Sequence, residues 1–268
     1  MNKEQENLLS LLSTVKALRG PNGCPWDKEQ THKSLRKYLL EESYEVLEVL
    51  DSMDAKIDAS LALKEELGDL LFQILLHSEL AEEKNLFSFL DVMKNLEEKI
   101  HRRHPHVFAG KKISSAKEVS LQWEETKNKE KTLAHSLDNI PNALPALQKA
   151  EKVISRVTKE GFQWPDLKGP LDKVAEELSE LAEEISKKNR QKEKIEAELG
   201  DLFFSLCNVA YFLEISPESA LRNMLSRFEK RFRFVEDSIK KTGRKIKDAS
   251  LEEMDIYWTL AKKIEKNK

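Results

Sequence analysis

One acidic pattern occurs twice in this chain and constrains its fold more than any other feature. Each copy consists of Glu-Glu-x-x-Glu and, on a later helical segment, Glu-Leu-Gly-Asp. Residues three and four positions apart lie on the same face of an α-helix. If the two helices of a copy run antiparallel, four carboxylates converge, and the duplication predicts two homologous all-α units. The copies comprise Glu41, Glu42, Glu45, Glu66 and Asp69 in the first half and Glu176, Glu177, Glu180, Glu198 and Asp201 in the second.

Converging carboxylates require a compensating cation, because like charges at close range disfavour ionisation. A hard divalent metal with oxygen ligands is the simplest cation of this kind. The alternative is a solvated Glu-rich face paired with lysines, which is the commoner role for any single Glu, but the repetition favours the metal. The predicted metal ligands are Glu177, Glu180, Glu198 and Asp201, with a second candidate site at Glu42, Glu45, Glu66 and Asp69.

The composition narrows the class of protein further. A chain of 268 residues allows two domains of ordinary size, and 8 Gly with 8 Pro are too few for a turn-rich β protein. A net charge of -3 predicts no partner among polymeric nucleic acids. Two cysteines without repeated spacing argue against disulfides or zinc and are typical of the cytoplasm. We expect no signal peptide and no membrane association, since no apolar run is long enough.

Helical periodicity and turn residues divide the chain into two matching halves. The segment 20–27 is expected to be a loop, and Trp123 and Trp258 fall near the end of each half. The Pro-containing stretch predicts domains at 1–135 and 145–268 joined by a linker at 136–144. The predicted helices cover about 4–19, 34–51, 59–82, 87–104 and 119–131, then 145–160, 170–187, 192–213, 217–241 and 250–266.

Basic residues near the acids suggest polyphosphate chemistry, because magnesium often shares its coordination shell with substrate phosphates. Lys and Arg neutralise phosphate oxygens, and Trp258 or Trp123 could stack on a base, although such residues are more often core anchors. A spare carboxylate, Glu176 or Glu41, could orient or deprotonate an attacking water. The basic residues are Lys173, Lys194, Arg227, Lys230 and Arg231, with Lys37, Lys64, Lys99, Arg102 and Arg103 in the first half.

Two further features allow more than one interpretation. A glycine inside a helix costs roughly 1 kcal/mol relative to alanine. Gly68 and Gly200 therefore indicate either close helix packing or a place where a side chain would block a ligand. The histidines in 101–106 match only half of a di-iron signature, so we interpret them as helix-end cations or phosphate contacts.

Several motifs together resemble the MazG family of nucleoside triphosphate pyrophosphohydrolases over almost the whole chain. The resemblance implies an all-α fold of tandem MazG-type helical bundles that pair as a homodimer, with the C-terminal domain as main catalyst. It implies Mg²⁺ as cofactor, with Mn²⁺ as a substitute, and cleavage between the α- and β-phosphates. The motifs are Gly23-Cys24-Pro25-Trp26-Asp27, the two acidic copies, Arg102-Arg103-His104-Pro105-His106-Val107-Phe108 and Arg227-Phe228-x-x-Arg231-Phe232.

The resemblance also assigns residues and a cellular role. It implies broad base specificity and a part in removing aberrant nucleotides or in modulating starvation signals. The opposing hypotheses are a nucleotide-binding or regulatory helical module without turnover, and a purely structural bundle. The implied triphosphate contacts are Lys173, Glu176, Lys194, Glu196, Arg227, Lys230 and Arg231, with Trp258 near the nucleoside.

Overall fold

The computed structural model describes residues 2–52, 59–110 and 134–266, together with residues 115, 116, 118, 119, 122, 123 and 126. The regular structure of these residues is helical, with no strand among them, so the all-α prediction is confirmed. The chain divides into two compact units, Met1–Lys131 and Thr132–Lys268. The division falls just before the stretch assigned as a linker. The predicted helix over 119–131 lies largely outside the described residues.

The first unit is built around a pair of long helices. Helix α3 packs along α4, and the shorter α1 and α5 also contact α4. Capping boxes begin two of the helices, at Asn2 with Gln5 and at Ser88 with Asp91. The helices are α1 (Lys3–Arg19), α2 (Pro25–Glu29), α3 (Arg36–Ser52), α4 (Ala59–Glu82), α5 (Phe89–Arg103) and α6 (Pro105–Phe108).

The hydrophobic core of the first unit lies at one end of α4. Its fully buried members come from α1, from the turn before α3 and from the C-terminal half of α4, and Tyr38 and Phe72 pack against them. The acidic residues of the repeated motif on α4 lie toward its other end, in its N-terminal half. The buried core residues are Val15, Leu35, Leu75, Leu76 and Leu80.

The helix predicted over about 87–104 does stop before Pro105, since α5 ends at Arg103 and Pro105 begins the separate α6. Two other predictions for this unit were wrong in detail. The segment 20–27 is not wholly a loop, because Pro25 starts a one-turn helix that suits its fixed φ. Leu50, which the periodicity places in the core, is 46% exposed near the end of α3.

The second unit repeats the same arrangement. Helix α8 packs along α9, α7 contacts α9 and α10, and α11 packs on α10. Its buried residues include Ile154 of α7, Cys207 of α9 and Val235 and Ile239 of α10. The helices are α7 (Ala146–Lys159), α8 (Lys168–Ser186), α9 (Lys192–Phe212), α10 (Pro217–Lys241), a 3₁₀ turn (Ile246–Asp248) and α11 (Leu251–Lys266).

The two units end their longest acidic helices in the same way. Asn85 after α4 and Glu214 after α9 adopt positive φ values of 56° and 55°. The amides of Leu86 and Ile215, one residue further on, donate to carbonyls of the last helical turn. A left-handed residue at this place stops a helix by satisfying its free carbonyls. Matching ends support the inference of a duplicated unit.

Within the described ranges, no single helix is both long and apolar enough to cross a bilayer. Helices α9 and α10 meet that length and composition only when taken together, and they are bent by 103° at their break.

Candidate metal and nucleotide site

The carboxylates of the second unit gather between two packed helices. Glu177 and Glu180 lie one turn apart on α8, and Glu198 lies on the facing α9. One oxygen of each lies within 4.8 Å of the others. The predicted fourth ligand, Asp201, lies outside this trio but close enough for its charge to act on Glu198.

The charges in this cluster repel one another. Burial, followed by the negative charges of Glu180, Glu177 and Asp201, raises the pKa of the Glu198 carboxyl. The donor set contains only carboxylate oxygens, which Mg²⁺ and Mn²⁺ accept, and no sulfur or imidazole that would favour softer metals. The residues therefore fit a hard divalent cation, whose binding would remove the repulsion.

Lys173 already compensates part of this charge. Its Nζ lies 2.6 Å from Oε1 of Glu177 and 3.0 Å from Oε1 of Glu176. These hydrogen bonds, that to Glu177 first, raise the pKa of the Lys173 ammonium. Glu177 is only 4% exposed, so without this partner its carboxylate would be buried and unpaired. Lys173, which the sequence predicts as a phosphate contact, is therefore bound to the acidic cluster in this structure.

The first unit contains the equivalent trio. Glu42 and Glu45 of α3 and Glu66 of α4 each bring one oxygen within 4.8 Å of the others. Burial and then the hydrogen bond with Glu45 raise the pKa of Glu42, while burial and then the Glu45 charge raise the pKa of Glu66. Asp69 again acts through its charge.

The cation that serves the second trio has no counterpart on α3. Lys173 lies four residues before Glu177, and the residue four before Glu42 is Tyr38. The ring of Tyr38 packs edge-on against Trp26 at 5.5 Å between ring centroids. Lys37, which the sequence offered as a phosphate contact, lies over the Tyr38 ring at 4.4 Å.

The other predicted phosphate contacts occupy two helices. Arg227 and Lys230 are exposed on α10, whereas Arg231 donates from Nε and Nη2 to Oε2 of Glu265 at 2.8 and 2.6 Å. Lys194 is one turn before Glu198 on α9. Glu196 is two residues before Glu198, and helical geometry places it on a different face from that acid.

An aromatic pocket lies beside the basic helix. Its volume is about 220 Å³, and Trp258 of α11 and the two phenylalanines of α10 form its walls. The ring centroids of Phe228 and Trp258 are 4.9 Å apart, and the guanidinium carbon of Arg231 lies 5.7 Å from the Trp258 ring. Sequence reasoning placed Trp258 near the nucleoside and named Phe228 and Phe232 only as part of a motif, so it missed their role, and that of the other lining residues, in a pocket. The lining residues are Phe228, Phe232, Val235, Leu251, Met254, Asp255 and Trp258.

The described neighbours of the matching tryptophan in the first unit include an arginine and a histidine. The guanidinium carbon of Arg103 lies 5.1 Å from the Trp123 ring, and the His104 ring meets it edge-on at 4.9 Å. His104 also places Nδ1 2.8 Å from the carbonyl of Ile100. Among the described residues, the groupings with metal-ligand geometry contain glutamates and no histidine of 101–106.

The close-packing interpretation of the two motif glycines is wrong for the described part of the chain. A Cβ atom built on Gly68 or on Gly200 would meet nothing within 4 Å. The interpretation that a ligand or a metal-bound water needs this space stays a prediction.

The fold and this site define a class: an all-α protein with repeated carboxylate clusters suited to a divalent metal. A family model described as the MazG nucleotide pyrophosphohydrolase domain matches residues 30–108 and 168–235. The chain therefore belongs to the MazG family. The predictions of this family and of an enzyme of the nucleoside triphosphate pyrophosphohydrolase class are confirmed.

Several relatives are similar to this chain over nearly its full length. The nucleoside triphosphate pyrophosphohydrolase/pyrophosphatase MazG of Thermotoga maritima is 40% identical over 94% of this chain and 94% of its own. The nucleoside triphosphate pyrophosphohydrolase of Escherichia coli K12 is 40% identical over 95% of this chain and 97% of its own. The uncharacterized protein YabN of Bacillus subtilis is 43% identical over 98% of this chain, which spans 54% of that protein.

Proposed function

We propose that the second unit hydrolyses nucleoside triphosphates between the α- and β-phosphates, releasing a monophosphate and pyrophosphate with Mg²⁺ or Mn²⁺ as cofactor. The observation that carries this proposal is the trio of Glu177, Glu180 and Glu198 in a unit that also holds Lys173 and the Trp258 pocket. Carboxylates, a cation and an aromatic wall are the groups that a metal, a triphosphate and a base respectively require.

The carboxylates of the trio, with Asp201, would hold the ion. A bound ion of this kind polarises a phosphoryl oxygen and lowers the pKa of a bound water. Glu176 is exposed beside the trio and accepts a hydrogen bond from Lys173 at 3.0 Å. That bond orients its carboxylate, and we assign Glu176 the role of positioning the attacking water or accepting its proton.

The basic residues would bind the polyphosphate. Lys173 can exchange Glu177 for a phosphate oxygen once a metal neutralises the acids, because its ammonium group is already at the cluster. Arg227, Lys230 and Arg231 lie within five residues of one another on α10 and offer positive charge to the same chain of phosphates. Lys194 adds a further positive charge at the start of α9. Glu196, two residues later, remains a triphosphate contact that only the family resemblance implies.

We also propose a cytoplasmic homodimer that acts on nucleotide pools, either in removing aberrant nucleotides or in modulating starvation signals. Support for the dimer comes from apolar residues of α9 that remain 38–52% exposed within the described chain. Contiguous exposed apolar surface of this kind marks protein contacts. Light scattering coupled to size exclusion measures the assembly, and a monomeric mass would contradict the dimer. The residues are Leu199, Phe203, Phe204 and Leu206.

Product analysis tests the reaction directly. Full-length protein is incubated with ATP and Mg²⁺, and the products are separated by ion-exchange chromatography. We expect AMP and pyrophosphate in equal amounts, and no product when EDTA replaces the metal. ADP with orthophosphate would place the cleavage elsewhere, and nucleotide binding without any product would favour a non-catalytic binding module.

A further inference from the structure

The pocket beside Trp258 contains one residue that breaks the pattern of its helix. On α11, the residues that face α10 follow the spacing i, i+3, i+4 and i+7, at Leu251, Met254, Asp255 and Trp258. Such a stripe is normally apolar throughout, because it faces the neighbouring helix. Asp255 is therefore the charged member of this stripe, and both it and Leu251 are exposed to solvent while lining the pocket.

Charge pairing within the described ranges does not account for Asp255. The other residues that line the pocket are apolar. They include Phe228 and Phe232, whose stacked rings have centroids 6.1 Å apart. Within the described ranges the carboxylate of Asp255 makes no hydrogen bond or ion pair. By contrast, Glu253 on the same helix pairs with Arg244, and Glu265 pairs with Arg231. A lone polar group in an apolar pocket is typical of a group that fixes the orientation of a ligand.

We propose that Asp255 selects the base of the substrate, favouring guanine. This inference rests on the proposed function, since it assumes that the nucleoside lies in the Trp258 pocket. An ionised carboxylate is a hydrogen-bond acceptor only. Guanine presents two adjacent donors, N1–H and N2–H, to the two oxygens of one carboxylate. Adenine and cytosine offer one amino group each, and uracil places its single N3–H between two carbonyls.

The order of preference follows from this chemistry. Guanine gains two parallel hydrogen bonds to Asp255, and adenine and cytosine gain one. The carbonyl oxygens of uracil face the negative oxygens of Asp255 and repel them. A bidentate pair discriminates between bases by roughly 1–3 kcal/mol, so the ratio of kcat/KM for GTP over UTP is expected to be at least about fivefold.

The experiment compares three full-length proteins with GTP and UTP as substrates. Asp255→Asn replaces one acceptor oxygen by a donor, which conflicts with guanine and matches a uracil carbonyl. The GTP to UTP ratio should therefore fall at least about fivefold or reverse. Asp237→Asn removes the same charge from an exposed residue of α10 that does not line the pocket, and its ratio should equal that of the original protein. An unchanged ratio in Asp255→Asn overturns the proposal.

Calorimetry distinguishes a failure of base selection by Asp255 from a failure of the proposed hydrolysis. Binding of GMP and UMP to the same three proteins reports base preference without any turnover. Weaker GMP binding in Asp255→Asn alone supports base selection even if no triphosphate is hydrolysed, in which case only the proposed reaction fails. Normal hydrolysis with equal GMP affinity in Asp255→Asn and Asp237→Asn contradicts base selection and leaves the reaction standing. Circular dichroism of the variants should show the same overall helical content as the original protein.

Discussion

The acidic clusters of the two units contain the same residue types at the same helical spacing, but the charges around them differ. In the second unit Lys173 bonds to Glu176 and to the buried Glu177. In the first unit the equivalent position is Tyr38, whose ring belongs to the local apolar packing. One cluster is therefore partly neutralised by its own helix. The other must rely on protons, on a metal or on residues from elsewhere.

The aromatic residues of the two units differ in the same sense. Trp258 forms a wall of an apolar pocket and has Arg231 5.7 Å from its ring, whereas the described neighbours of Trp123 are Arg103 and His104. Both rings contact an arginine, which is a favourable interaction, so the described difference between them is the apolar pocket beside Trp258. The comparison teaches that a duplicated ligand motif does not imply a duplicated active site. The residues that surround the motif decide what each copy can bind.

The largest expected effect comes from removing one carboxylate of the second cluster. Glu180→Gln should lower magnesium-dependent turnover by more than about 100-fold, because even outer-sphere changes at metal sites cost roughly 10- to 100-fold. The helix should persist, since Gln and Glu have similar helix propensities. Steady-state assays of pyrophosphate release measure the effect.

The matched variant in the first unit is Glu45→Gln. If the second unit carries the reaction, Glu45→Gln should retain most of the turnover. A loss as large as that of Glu180→Gln would mean that both units are catalytic or strongly coupled. Full activity of Glu180→Gln would refute the assignment of the second cluster.

An intermediate effect is expected from Lys173→Met. The change leaves the 4%-exposed Glu177 without its cation, so the melting temperature in EDTA should fall, and added Mg²⁺ should restore part of the loss. The value of kcat/KM should drop roughly tenfold, the contribution of about one charge-assisted hydrogen bond. Differential scanning fluorimetry and pyrophosphate assays provide the two readouts.

Lys187→Met is the control for that experiment. Lys187 bonds to Glu184 of the same helix, which lies outside the trio although its charge reaches Glu198. Loss of Lys187 should therefore change the magnesium response and kcat/KM far less than loss of Lys173. Equal effects of the two lysine variants would show that Lys173 has only a general surface role.

The smallest effect concerns the motif glycines. Gly200→Ala and Gly68→Ala should each raise the free energy of unfolding by up to about 1 kcal/mol, since both lie in helices with open space beside them. If substrate occupies that space in the second unit only, Gly200→Ala should lower kcat/KM severalfold while Gly68→Ala leaves it unchanged. Urea unfolding measures the stability of each variant, and steady-state kinetics measures its kcat/KM. Equal kcat/KM values for the two variants would contradict the interpretation that substrate needs the space beside Gly200.

Much of the fold was predictable because the helix signals are local. The spacing of leucines and the cap at Ser88 or the proline at Pro217 fix where most helices lie to within two residues. The one-turn helix at Pro25 and the exposure of Leu50 were missed. A single turn leaves no periodicity to detect, and exposure depends on which neighbour reaches the end of a helix.

The candidate site was predictable only in part. Spacing on one helix places Glu177 and Glu180 on one face, and their convergence with Glu198 follows only if the two helices of the copy run antiparallel. The spacing could not predict which group Lys173 binds. Its ammonium group is carried on a flexible side chain, which can turn to an acid on its own helix or to a ligand. The pocket was missed because α10 and α11 are separate segments whose facing residues meet only on packing.

The sequence by itself determined the all-α class, the duplication and the sets of carboxylates, since helical periodicity and spacing depend on neighbours a few residues away. The tertiary structure decided that Lys173 neutralises Glu177, that Trp258 opens onto a pocket and that Asp255 lines it. These are properties of contacts between faces and between flexible side chains. Such contacts depend on how the helices pack, which local propensity does not specify.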